Sequence, residues 1–144
     1  MTETDTVKLL RECDVGIRMG IESIDDVLPH VHSEPMHEQL TACRKQHDRL
    51  KGEIGRMLAA VGVDGKEPPA IARGMSHVKT RMRLATKPCE STVAELVIDG
   101  CHMGVKSLSR FLNRYEGADE QSRQITRDLI RAEDDLGTRM RLFL

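Results

Sequence analysis

Residues 36–61 carry a titratable ring where an aliphatic side chain is expected. Met36, Leu40, Cys43, His47, Leu50, Ile54, Met57 and Val61 recur at alternating steps of four and three, so they share one helical face with His47 at its middle. Cys43 stands one turn before His47. A soft thiolate and a borderline imidazole on one face suit zinc or iron, although a lone cysteine on an apolar stripe is more often core. The first helical stretch is interrupted in the same way: Leu10, Ile17, Ile21, Ile24 and Leu28 form a stripe whose missing member is Asp14. With the intervening turn centred near residue 31, Asp14 and His47 fall at about the same height and are expected within hydrogen-bonding reach. A carboxylate holding an imidazole orients many metal ligands, and it is equally a satisfied buried polar pair.

Three further residues belong with these. Glu133 lies within one residue step of an apolar face formed by Leu129 and Leu136, and similar arithmetic about a turn near residue 116 sets it level with Gly100. That makes it the third inward polar candidate and, with Asp14, Cys43 and His47, completes a possible iron or zinc set. Asp99 and His102 have the spacing of a carboxylate and imidazole on adjacent turns. They share their stripe with Thr92, Glu95, Lys106 and Ser109, which reads as the wet side of a helix.

The elements that must position these residues are helical, because nothing in the chain alternates with the period of a strand. The first amphipathic segment runs from about Thr6 to Leu28, before Pro29. The second opens at Ser33-Glu34-Pro35, a capping serine with proline in the first turn, and ends at Gly62. The third follows Pro88, with Thr92 and Glu95 spaced as a capping box, and turns inward Ala94, Val97, Ile98, Cys101, Val105, Leu108 and Leu112. The fourth runs from about Asp119, burying Ile125, Leu129, Ala132, Leu136, Met140 and Phe143. The expectation is an all-α single domain over residues 1–144. Short links join segments one to two and three to four, so each pair is antiparallel; the long link of about residues 63–89, with its own weaker helical stripe, can travel the height of a bundle.

Composition narrows the function. With 31% charged and 39% hydrophobic residues over 144 positions, the chain is an ordinary globular domain, with no apolar run of membrane-spanning length. Its polar, acidic N-terminus lacks the layout of a secretion signal, which points to a cytoplasmic, bacterial-type protein with Cys13, Cys43, Cys89 and Cys101 reduced. Net charge is −1 and only 2% of residues are aromatic, so neither a membrane surface nor nucleic acid is an expected partner. The basic stretch at 68–89 reads instead as a complement to Glu22, Asp25 and Asp26 or to a partner subunit. Gly16-x-x-x-Gly20 and Gly100-x-x-x-Gly104 agree with dense packing or a symmetric dimer.

Four helices of equal length joined by short, long and short links resemble the ferritin-like superfamily, and in particular its small uncharacterised bacterial members. The resemblance implies an up-down four-helix bundle with a long, partly helical crossover between helices two and three. Its metal-handling members carry Glu-x-x-His on two helices. Here Arg44 precedes His47 and Leu136 follows Glu133 at that spacing, so the complete di-metal motif is absent. Two functions stay open: a non-catalytic protein-interaction or oligomeric module, expected as a homodimer without cofactor, and an iron- or zinc-binding protein with a mid-bundle site.

Overall fold

The computed structural model describes residues 3–63 and 89–144. Among them there are no strands. Four helices form the structure: α1 (Asp5–Val27), α2 (Glu34–Ala60), α3 (Glu90–Arg114) and α4 (Glu120–Met140), with single 3₁₀ turns at Leu28–His30 and Arg141–Phe143. None of these helices is long and apolar enough to cross a membrane. The basic stretch at 68–89, save Cys89, lies outside the described residues, as does the expected crossover helix.

Side chains set the helix starts, as their types dictate. Thr4 Oγ1 accepts from the Val7 amide, Ser33 Oγ from Met36 and Asp119 Oδ1 from Ser122, each satisfying a first-turn N–H that has no partner inside the helix. Gly62, at φ 72°, turns the chain away after α2, a left-handed conformation that glycine adopts without a Cβ penalty. The expected capping box at Thr92 is not used. Helix α3 begins earlier, with Cys89 as the N-cap residue and Thr92 buried in the first turn.

Hydrogen bonds between helix ends fix which ends meet. Glu90 Oε1, at the start of α3, accepts from the His32 amide at 2.8 Å and the Ser33 amide at 3.2 Å, just before α2. At the opposite end Asp5 Oδ2 accepts from the Gly117 amide and Thr6 Oγ1 from the Asp119 amide, both at 2.9 Å. Helices α2 and α3 therefore begin at the same end, and the two ends joined by residues 64–88 lie at opposite ends of the bundle.

The core is divided. One apolar cluster gathers Ile24, Val27, Met36, Leu40, Val93, Leu136 and Met140 near the α1–α2 turn; the other gathers Leu9, Leu10, Ile17, Leu50, Ile54, Leu108 and Leu129 near the α3–α4 turn. Burying each such side chain contributes about 1.5–3 kcal/mol relative to exposing it, so the two clusters supply the driving force for assembly. Between them each helix skips one heptad: residues 17 to 24 on α1, 43 to 50 on α2, 101 to 108 on α3 and 129 to 136 on α4. His47 and Glu133 sit in that gap.

Candidate functional site

Helix α2 presents His47 into the gap because its apolar neighbours Cys43, Leu50 and Ile54 face the core, and the ring is only 1% exposed. Nδ1 lies 3.0 Å from the Cys43 carbonyl oxygen, one turn back, with Cys43 Sγ at 3.5 Å. A carbonyl only accepts, so Nδ1 carries a hydrogen. Nε2 lies 2.9 Å from Glu133 Oε1, which reaches across from α4. Glu133 is 9% exposed, placed there by Leu129, Ala132 and Leu136 on the same face.

Glycines on the other two helices leave room for the pair. A Cβ on Gly20 of α1 would stand 3.0 Å from His47 Cδ2 and Nε2 and 3.4 Å from Glu133 Oε1. A Cβ on Gly104 of α3 would stand 3.3 Å from Glu133 Cδ. One residue per helix, Gly20, His47, Gly104 and Glu133, therefore makes a single polar layer. The two G-x-x-x-G segments are used asymmetrically: Gly20 and Gly104 face this layer, Gly16 would meet only Leu108 at 3.8 Å, and Gly100 has nothing within reach.

Burial opposes a charge on the ring and is the largest single influence on it. The hydrogen bonds to Cys43 and Glu133, with the charges of Cys43 and Glu133, outweigh burial together, and the His47 pKa rises from 6.5 to about 10. The ring is thereby held in its protonated form against Glu133. Beside it, burial and then the charge and hydrogen bond of Glu133 push the Cys101 thiol well up. Cys13, buried in the core and bonded to Thr126 Oγ1 at 3.2 Å, is likewise raised by burial, to about 11. Both thiols are held protonated.

Two expectations need correction. Asp14 is buried, at 2% exposure, but Arg18 Nε holds its Oδ2 at 3.0 Å, and His47 takes Glu133 instead. The reason is the α1–α2 connection. The 3₁₀ turn at Leu28–His30 and the extended residues before Glu34 move the pivot toward residue 33, so His47 stands level with Gly20. Asp14 lies six residues away, about 9 Å along the helix. Glu133 likewise meets Gly104 and not Gly100, one turn from the expected height. Asp99 and His102 are exposed, as a wet helical face requires, although Thr92 of the same stripe is buried.

No family model, curated protein or solved structure matches the chain. The site must therefore be read on its own chemistry.

Both ring nitrogens of His47 are engaged by protein atoms, Asp14 belongs to Arg18, and among the described residues no three His, Cys, Asp or Glu side chains stand where they could hold an ion together. Gly20 and Gly104 are the members of the layer that inspection of polar residues misses. Their signal is the skipped heptad on α1 and α3, where an inward position carries no large side chain.

Proposed function

We propose that this is a non-catalytic, ferritin-like up-down bundle acting through its surface as an oligomeric or protein-binding module, with its one mid-core polar layer serving the fold. The observation that carries this reading is the engagement of both His47 nitrogens, Nδ1 by the Cys43 carbonyl and Nε2 by Glu133, which leaves the imidazole no lone pair for a metal or a substrate proton. The acidic end of α1 is partly used within the chain, since Arg44 holds both carboxylate oxygens of Asp25 at 2.6 and 3.1 Å. Association through the remaining charged faces would weaken with salt.

The alternative, iron or zinc held by Cys43, His47 and Glu133, has in its favour two thiols beside the pair, and it requires the His47–Glu133 bond to open. Elemental analysis of protein purified without chelator separates the two readings. Stoichiometric zinc or iron that disappears in His47→Leu would support the metal centre, and a metal-free protein supports the module. Light scattering across an ionic-strength series then tests self-association, and a monomer at every salt concentration would remove the oligomeric part.

A further inference from the structure

A groove of about 690 Å³ opens at the end of the bundle where α2 finishes and α1 and α4 begin. That volume suits a small organic molecule. Its apolar lining comes from Leu10, Met57 and Ile125 of three different helices. Ser122 forms part of its wall and is wholly buried, yet its hydroxyl has no hydrogen-bond partner. Buried hydroxyls are ordinarily satisfied, so this one points to a polar group supplied from outside the chain.

Charge selects the kind of molecule. Among the described residues three carboxylates, Glu53, Asp119 and Asp128, line the groove against the single guanidinium of Arg56. Glu53 is half-buried and has no ion-pair partner among the described residues. Arg56, one turn further on, is in register to pair with it. Its guanidinium lies back along α2, with Nη1 3.5 Å from where a Cβ on Gly52 would stand. Asp119 Oδ1 is committed to the Ser122 amide, and Asp128 Oδ1 accepts from Gln124 at 3.0 Å with Arg131 Nη1 3.8 Å away, which leaves Glu53 as the groove carboxylate without an ion-pair partner among the described residues. An anionic ligand would meet repulsion on this rim.

We propose that the groove binds a small amphipathic organic cation, with an ammonium at the Glu53 and Asp128 carboxylates and a short apolar body on Leu10, Met57 and Ile125. This site is independent of the His47 layer and of the surface role proposed above. Titration of the full chain with hexylammonium, followed by amide NMR, tests it. Saturable shifts are expected at Met57, Ser122 and Ile125, with no response to hexanoate, which keeps the apolar body and reverses the charge. The variant Glu53→Gln/Asp128→Asn, checked for unchanged helical circular dichroism, should bind about tenfold more weakly, the scale of neutralising two half-buried carboxylates at a groove rim. An absence of saturable shifts at tens of millimolar, an equal response to hexanoate, or an unchanged affinity in the double variant would overturn the proposal.

Discussion

His47 Nε2 and Glu133 Oε1 lie 2.9 Å apart between α2 and α4, at the level where all four helices skip one apolar position. A buried ion pair is weak evidence for net stability, because removing two charges from water offsets much of their attraction. Its firmer consequence is positional. Sliding any one helix by a turn would leave an imidazolium or a carboxylate facing Leu, Ile or Met, so the pair fixes the register of two otherwise slippery apolar halves.

A glycine beside the pair and one on an open helical face give opposite expectations for the same substitution. Gly20→Ala drives a Cβ to 3.0 Å from an imidazole that both its hydrogen bonds hold in place, and should destabilise by about 1–3 kcal/mol. Gly55→Ala, mid-helix on α2 with nothing within 4 Å, should stabilise by about 0.5–1 kcal/mol through helix propensity. Urea denaturation of the two variants checks the contrast.

Titration of His47 gives a pH dependence with a definite sign. Its folded pKa, about 10, lies above the unfolded value of 6.5, so its contribution is fully present below about pH 6.5 and is lost as pH rises through about 10. The stability difference between the wild type and His47→Leu should therefore shrink steadily from pH 6.5 to 10. In NMR the His47 ring should show no deprotonation near pH 6.5.

Much of this layer is legible in the sequence, and what is not has a physical cause. The Ser33 and Asp119 caps follow from residue types that bond first-turn amides. The inward placement of His47 and Glu133 follows from helical periodicity. Their pairing does not, because height across a bundle depends on the turn geometry, and the six-residue connection after α1 is partly 3₁₀ and partly extended. Gly20 and Gly104 read in the sequence only as close-packing glycines, since a residue without a side chain cannot announce which polar group it makes room for. Cys89 does not stand out as the α3 N-cap residue because serine and threonine are the usual signals, and Thr92 offers one three residues late.

Cys89 should be the thiol that reacts first. It is exposed at the start of α3, and hydrogen bonds from Ser91 Oγ at 3.1 Å and Thr92 Oγ1 at 3.2 Å lower its pKa from 9.0 to about 7. Cys13, Cys43 and Cys101 are buried. Iodoacetamide at pH 7 should label one site quickly in the native protein, and Cys89→Ser should abolish that fast phase; rapid labelling of Cys43 or Cys101 would show that the core opens readily.

A double-mutant cycle on the layer is the most direct test of its structural role. Removing one partner leaves the other buried and unpaired, so His47→Leu and Glu133→Met should each lose about 3–5 kcal/mol of unfolding free energy in urea. The double variant, with two apolar groups facing each other across the bundle, should recover most of that loss. Losses that simply add in the double variant would contradict a His47–Glu133 ion pair at the centre of this fold.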